Sequence, residues 1–332
     1  MRLRHFLLGF FVGFLLTFFA RNLLCLLFVK CRSYSEWKFI KSYKIQPSVP
    51  EVKHDKILCW VMTLKVLPED RFRIGSTWGK RCDKLIFVAK TGEPSEDTII
   101  SPYELLERMD LWNQAHRAWA RIAERFMHEY DWFIKLDTDS FFLPENFRYV
   151  AKIKNWRPEN VVYFGHTVYE QTRPEHEIRA QFNLGAGYGV SRFVLQSIYP
   201  YLPTARESTL PVDQRCPEWV RWGEDVKFAD CMRYKFPTLV PNKTRDVFDR
   251  EHFVPFTPNI HFKLQFLPWF YRGKEKGLEQ KQKSFWCCSA RPALWHGIKE
   301  PYWNPLLDYL HYVVAVDPIP PPPPPPPSNN DS

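Results

Sequence analysis

The stretch "DWFIKLDTDSFF", residues 131 to 142, runs from a short apolar segment around Lys135 directly into two aspartates separated by a threonine. The apolar segment has the length and composition of a buried strand. Side chains two residues apart in extended backbone face the same way, so Asp137 and Asp139 can converge on one cation. Two unpaired buried carboxylates would be costly, and a divalent cation such as Mn²⁺ or Mg²⁺ would neutralise them and bridge to phosphate oxygens. A lone D-x-D triplet also fits a turn or a capping pair.

Strand-like and helix-like segments alternate around this stretch. Apolar runs that predict buried strands begin at Lys56, Lys84 and Val161. A long amphipathic helix is predicted over 105–130, and shorter helices over 145–153 and 191–199, the last of them capped by Ser191. This alternation predicts an α/β fold with a largely parallel sheet, and such sheets bind ligands outside the carboxyl ends of their strands.

The 332-residue chain is predicted to contain a globular body, residues 57–316, with attachments at both ends. Residues 6–29 are almost wholly apolar and, as a helix, can cross a bilayer core of roughly 30 Å. No small-x-small cleavage pattern follows them, which favours an uncleaved membrane anchor over a cleaved signal peptide. A short tail (1–5), a stem (30–56) and a disordered proline-rich tail (317–332) complete the predicted organisation.

The cysteines indicate the cellular compartment, and the net charge indicates the kind of partner. Six of the eight cysteines lie in the body, and a set of disulfides fits a chain exported into an oxidising lumen. Cys31, just after the apolar segment, is a candidate for an intermolecular bridge. Sequons at Asn242 and Asn330 are candidate glycosylation sites. The net charge of +9 suits an anionic substrate or a membrane surface, and no basic stripe interleaved with aromatics points to nucleic acid.

Five short motifs occur along the chain in an order that can be compared with known families. They are "TWGKRC" (77–82), "DWFIKLDTDSFF" (131–142), "LGAGYGVS" (184–191), "GEDVKFADCM" (223–232) and "CCS" (287–289). In this order they resemble the β1,3-glycosyltransferases, and among these most closely the glycoprotein-N-acetylgalactosamine 3-β-galactosyltransferase (core 1) family. The chain departs from that family's pattern at Thr138, where a third aspartate is common, and at Gly189, where valine is usual.

The resemblance implies a fold, a compartment and a reaction. The fold would be the GT-A glycosyltransferase fold, a Rossmann-like, mostly parallel mixed sheet flanked by helices. The chain would be a type II Golgi membrane protein, with a cytoplasmic tail, a lumenal catalytic domain and, in this family, a homodimeric state. It would transfer galactose from UDP-galactose, with Mn²⁺ as cofactor, to O3 of GalNAc α-linked to serine or threonine of glycoproteins. The rival hypotheses are a relative that uses another UDP-sugar and an inactive, chaperone-like relative.

The resemblance also assigns roles to individual residues. Asp137, Asp139 and His296 would hold the metal, Thr63 and Thr138 would contact the nucleotide, and Asp225 would act as the general base. Contacts to the donor or acceptor sugar would come from Gly185, Gly187, Tyr188, Trp222 and Glu224.

Simpler local causes compete with three of these assignments. Acidic residues such as Glu224 and Asp225 are favoured at a helix start whatever their function. The glycines also fit a tight strand-to-helix turn, and a histidine beside a tryptophan is ordinary in a folded protein.

The family's disulfide pairing would join Cys59 to Cys82, Cys216 to Cys231 and Cys287 to Cys288. A bridge between adjacent cysteines needs a strained local backbone, because consecutive Cα atoms lie only about 3.8 Å apart. Two free thiols at 287 and 288 are the simpler physical alternative.

Overall fold

The computed structural model describes residues 55–101, 111–169, 181–218, 223–263, 288–299 and 303–312. The predicted tail, membrane anchor and proline-rich end lie outside these residues, as do Cys31, Trp222, Cys287 and Asn330, and all of the predicted stem except Asp55 and Lys56. Within the described ranges, no helix is long and apolar enough to cross a membrane.

Ten strands are described. They are β1 (Ile57–Lys65), β2 (Lys84–Thr91), β3 (Thr98–Ile100), β4 (Trp132–Asp137), β5 (Phe141–Phe142), β6 (Tyr163–Tyr169), β7 (Gln181–Ser191), β8 (Asn242–Lys243), β9 (Phe253–Val254) and β10 (Leu294–Trp295). Seven of them form one sheet in the order β3-β2-β1-β4-β7-β6-β8. β1 runs parallel to β2 and β4, whereas β7 runs antiparallel to β4 and β6.

The described helices are α1 (Pro68–Ser76), α2 (Leu111–Phe126), α3 (Pro144–Ile153), α4 (Arg192–Ile198), α5 (Glu224–Lys235), α6 (Pro258–Lys263) and α7 (Trp303–Tyr312). Short 3₁₀ turns lie at Trp78–Arg81, Tyr199–Tyr201 and Val212–Gln214. The predicted long helix is present as α2, and its predicted first residues lie in the undescribed segment 102–110. Ser191 caps α4 as predicted, its Oγ accepting the Val194 N–H.

The main sheet is buried on both faces. Leu58, Trp60 and Met62 of β1 pack into one apolar cluster, which includes α2 and α5. The alternate residues Cys59 and Val61 pack into a second cluster on the other side. This arrangement confirms the predicted α/β class, and the mixed, mostly parallel sheet fits the GT-A-like fold that the resemblance implied.

The glycine-rich stretch 184–191 is the end of strand β7, so its alternative interpretation as a tight turn is wrong. Gly187 lies opposite Leu136 in the ladder, and Gly189 lies opposite Ile134. A Cβ on Gly187 would lie 2.7 Å from a Leu294 methyl, and one on Gly189 would lie 2.9 Å from the Phe133 carbonyl oxygen. These two glycines are therefore needed for close packing between neighbouring strands.

Two predicted disulfides are present. Cys59–Cys82 joins β1 to the residue after the first 3₁₀ turn, and Cys216–Cys231 joins the loop before α5 to that helix. Cys288 is also disulfide-bonded, which contradicts the free-thiol alternative at that position. Its predicted partner, Cys287, lies outside the described residues.

A small second sheet, in the order β5-β10-β9, completes the frame of the site. β10 pairs antiparallel with β5, which places Trp295 opposite Phe141. This pairing brings His296, the residue after β10, to the acidic turn that precedes β5.

Candidate active site

Three side chains predicted to share a metal converge at the carboxyl end of β4. Asp137 is the last residue of β4, and Asp139 lies in the turn that follows. His296 Nε2 lies 3.2 Å from Asp139 Oδ1 and 3.5 Å from Asp137 Oδ2. One candidate ligand atom from each of the three residues lies within 4.8 Å of the others.

This donor set fits a divalent transition metal such as Mn²⁺, for which carboxylate and imidazole ligands are suitable. His296 Nδ1 lies 3.1 Å from the Pro255 carbonyl oxygen, so it can donate there and leave Nε2 available to a metal. Gly297 has a φ of 77°, a conformation that glycine adopts at little cost, and the chain turns at this point. The Ile298 N–H then donates to the Asp139 carbonyl over 2.8 Å, which fastens this turn to the acidic turn.

The charges of the three residues depend on one another. Burial alone would raise the pKa of Asp137, but the charge of Lys135 and the bond to His296 bring that pKa well below its usual range. Burial likewise opposes the shift at Asp139, whose pKa is lowered by His296. The two carboxylates overcome the effect of burial on His296 and raise its pKa to about 9. The three side chains thus attract one another electrostatically, and metal binding would require the neutral form of the imidazole.

Lys135 connects the metal-ligand candidates to the rest of the site. Its side chain is only 1% exposed, and its ammonium donates to Asp137 Oδ1 (2.6 Å), to the Gly185 carbonyl (2.7 Å) and to Glu224 Oε1 (2.7 Å). All three ammonium protons are therefore used. Sequence reasoning gave Lys135 no role, although a lysine inside an otherwise apolar strand was the available signal.

The acid pair begins helix α5, where the helix dipole favours negative charge. Asp225 accepts the Gly185 N–H at Oδ2 (2.8 Å) and the Val226 N–H at Oδ1 (2.9 Å). Burial raises the pKa of Asp225 despite these two donors. Burial also raises the pKa of Glu224, to about 7, although Lys135 opposes that shift. A raised pKa makes a carboxylate a stronger base.

Three residues assigned to sugar contacts lie behind the site instead. The Tyr188 side chain is fully buried, and its hydroxyl donates to Glu224 Oε2 over 2.7 Å. Glu224 is 4% exposed, and Gly187 is packed against Leu294. None of the three exposes a surface to a sugar in the described conformation, and their sugar contacts stay predictions. Gly185 remains beside Asp225.

A cavity of about 660 Å³ opens beside the acidic turn. Asp137, Asp139 and the two threonines assigned to the nucleotide, Thr63 and Thr138, are among the residues that line it. Arg73 of α1 also lines the cavity and donates through Nη2 to the Thr138 carbonyl over 2.8 Å. The cavity therefore combines two of the three metal-ligand candidates with space for a small organic group.

The predicted glycosylation sequon at Asn242 lies on β8. Asn242 is half-buried, and its Oδ1 accepts the Tyr163 N–H over 2.9 Å. Thr244, the third residue of the sequon, is buried and donates to the Gly165 carbonyl. Glycosylation at Asn242 stays a prediction.

Comparison with known proteins supports the resemblance drawn from the motifs. No family model matches the chain. A curated relative from Xenopus laevis, glycoprotein-N-acetylgalactosamine 3-beta-galactosyltransferase 1, is 24% identical over 300 residues, which cover 84% of this chain and 72% of the relative. The chain is thus a distant relative of that family, and the comparison supports a glycosyltransferase.

Solved structures give weaker likenesses. Mouse xyloside xylosyltransferase 1 in its apo form has a TM-score of 0.32 and 12% identity, covering 74% of this chain and 97% of its own. A glycosyltransferase involved in glycosylation of the major capsid of PBCV-1 has a TM-score of 0.26 and 17% identity, covering 48% and 73%. These TM-scores are low, and the fold is defined by the strand order β3-β2-β1-β4-β7-β6-β8 of the main sheet.

Proposed function

We propose that the chain is an inverting, metal-dependent glycosyltransferase that transfers galactose from UDP-galactose to O3 of GalNAc α-linked to serine or threonine of glycoproteins. The observation that carries this proposal is the set of contacts of Lys135, whose ammonium touches both Asp137 and Glu224. A site for a nucleotide diphosphate and an acid pair suited to proton abstraction therefore lie next to each other. The curated relative supports the choice of donor and acceptor by its name.

Asp137, Asp139 and His296 would hold Mn²⁺, which when bound stabilises negative charge on the departing diphosphate. Thr63 and Thr138 would contact the nucleotide from the cavity wall. The Arg73 bond to the Thr138 carbonyl keeps the acidic turn in place while the donor binds.

Asp225 would take the proton from the acceptor O3 as that oxygen attacks the anomeric carbon of the donor sugar. The new bond joins O3 to that carbon while the bond from the carbon to the diphosphate oxygen breaks, so the configuration inverts. The proton ends on Asp225, and UDP leaves with the electrons of the broken bond. The raised pKa of Asp225 supports this role.

Two alternative functions would give different results in the transfer experiment described below. A related enzyme could use another UDP-sugar, because one hydroxyl's orientation is read by few hydrogen bonds. An inactive, chaperone-like relative is disfavoured by the complete set of two carboxylates and one imidazole.

We further propose a Golgi location as a type II membrane protein with the catalytic body in the lumen, and a homodimeric state. The two disulfides, Cys59–Cys82 and Cys216–Cys231, support an oxidising compartment.

The test is transfer by the purified full-length chain with Mn²⁺, a GalNAc-threonine peptide and a panel of UDP-sugars. We expect the highest kcat/KM with UDP-galactose. Asp225→Asn should lower kcat by about 10²–10⁴-fold and leave UDP binding unchanged. Asp230→Asn, on the same helix and paired with Lys227, is the matched control. Transfer from a different sugar would correct the donor, and no transfer from any UDP-sugar would overturn the proposal.

A further inference from the structure

Tyr188, Glu224 and Lys135 form a buried chain of hydrogen bonds, which we call the brace. The Tyr188 hydroxyl donates to Glu224 Oε2, and Lys135 donates to Glu224 Oε1, each over 2.7 Å. None of the three side chains is more than 5% exposed. The brace therefore has no surface for a substrate, and its effect on a reaction must pass through a neighbouring residue.

Gly185 is that neighbour. Its carbonyl accepts from Lys135 over 2.7 Å, and its N–H donates to Asp225 Oδ2 over 2.8 Å. A Cβ at this position would lie 2.7 Å from Glu224 Oε1. Gly185 is thus held on one side by the brace and on the other by the proposed base, and a larger residue here would have to displace the Glu224 carboxylate.

We propose that Tyr188, Glu224 and Lys135 are positioning residues, which fix the Gly185 amide and thereby orient the Asp225 carboxylate toward the acceptor hydroxyl. This inference rests on the proposed function, because it assigns the brace to the base of that reaction. The orientation of the base would then depend on side chains that do not touch the substrate. Of the three, only Lys135 contacts a candidate metal ligand, Asp137.

The Tyr188 hydroxyl can be removed from the brace by a substitution that keeps the aromatic ring, although this hydroxyl also accepts the Trp119 Nε1–H over 3.4 Å. Its ring packs against Trp119 and Phe228, and phenylalanine would keep this packing. Loss of the hydroxyl leaves Glu224 Oε2 buried without the donor it now has. A buried carboxylate oxygen without a donor is unfavourable, so Glu224 should move and shift Gly185 with it.

Tyr163 offers a matched control. It is also a fully buried tyrosine of the same apolar cluster, and its ring lies 6.1 Å from that of Tyr188. Its hydroxyl accepts the Asn183 backbone N–H over 3.0 Å and makes no bond to Glu224. Tyr163→Phe therefore removes the same atom from the same environment without cutting the brace.

The experiment measures transfer kinetics of the full-length chain together with UDP and Mn²⁺ binding by calorimetry. We expect Tyr188→Phe to lower kcat by about tenfold or more, because small misplacements of a reacting group are costly. The KM for the donor and the affinities for UDP and Mn²⁺ should stay within about twofold of wild type. Tyr163→Phe should keep kcat within the same margin.

Glu224→Gln is the second variant, because it keeps the side chain's volume and, while its oxygen accepts from Tyr188, places an amide donor where Glu224 Oε1 now accepts from Lys135. We expect it to show the same loss of kcat with retained binding. Equal kcat in Tyr188→Phe and Tyr163→Phe would overturn the inference, as would a loss of UDP and Mn²⁺ affinity as large as the loss of kcat. Failure of the proposed function would be visible already in the wild type, as an absence of transfer.

Discussion

Lys135 Nζ lies 2.7 Å from Glu224 Oε1 in the interior of the protein, where neither side chain is more than 5% exposed. The lysine also carries the contact to Asp137, so one cation balances two carboxylates. Such a group is tolerated in an apolar sheet because all of its donors are satisfied. Removal of the ammonium would leave Glu224 without a counter-charge, and Asp137 with His296 alone.

Lys135→Met should therefore lower the free energy of unfolding by about 3–5 kcal/mol, the usual cost of breaking a buried ion pair on one side. Urea denaturation of the full-length chain measures this change. Lys65→Met, at an exposed position near the end of β1, should stay within about 0.5 kcal/mol of wild type. A Lys135→Met protein as stable as the control would show that the buried charges are solvated in some other way.

Substitution of the candidate metal ligands should weaken Mn²⁺ binding. We expect Asp139→Asn and His296→Gln each to reduce the affinity at least tenfold, because changes even beyond the direct ligands cost about 10–100-fold. Calorimetric titration of the purified chain with Mn²⁺ provides the measurement. His128→Gln is the control, because this exposed histidine lies between α2 and the amino end of β4, whereas Asp137 is at the carboxyl end of that strand. Unchanged affinity in both ligand variants would exclude this set of residues as the Mn²⁺ site.

Glu251 should contribute to stability in a manner that depends on pH. It is buried, and Arg245 Nε donates to it over 2.5 Å, while His166 Nδ1 lies 3.6 Å away. Burial alone would raise the pKa of Glu251, but His166 and Arg245 lower that pKa from 4.5 to about 2. Because the folded pKa lies below the unfolded one, this stabilisation is complete above about pH 4.5 and is lost as the pH falls toward 2.

Glu251→Gln should therefore cost about 3 kcal/mol at pH 7 and much less near pH 2. Urea unfolding at a series of pH values compares the two proteins. The curves should converge as the solution becomes acidic. Parallel curves across this range would mean that Glu251 does not have the lowered pKa.

Gly189 and Gly75 should respond to alanine in opposite directions. A Cβ on Gly189 would lie 2.5 Å from the Phe164 ring and 2.9 Å from the Phe133 carbonyl oxygen, whereas a Cβ on Gly75, within α1, meets nothing within 4 Å. Gly189→Ala should destabilise the chain by about 1–3 kcal/mol through overpacking. Gly75→Ala should be neutral or stabilise it by up to about 1 kcal/mol, since alanine favours helix. Thermal and urea unfolding test both, and a stable Gly189→Ala protein would contradict the packing account.

The sequence predicted the strand that carries Asp137 and Asp139 because a buried apolar run that ends in two spaced acids is typical of a strand whose carboxyl end binds a ligand. The assignment of His296 to the metal site required the family's motif order. The position of His296 beside the two aspartates depends on the pairing of β10 with β5, and no local sequence pattern predicts that pairing. The burial of Tyr188 was not foreseen, for a related reason. Strand β7 is antiparallel and lies between two other strands, so a tyrosine that looks available in the sequence points into the interior.

Lys135 was missed because its partners come from two distant segments. The carbonyl of Gly185 and the carboxylate of Glu224 reach it only through the packing of β7 and α5 against β4. A single lysine in an apolar run can snorkel to solvent or be buried with counter-charges, and the sequence does not distinguish the two cases.

The pairing of β10 with β5 has a consequence for biosynthesis. The ribosome releases Asp137 and Asp139 long before His296, so a growing polypeptide carries its two acids for much of translation with no imidazole opposite them. The complete cluster can assemble only when nearly the whole body has emerged. A chain truncated before Leu294 would lack the strand that delivers the third ligand, however well its main sheet had formed.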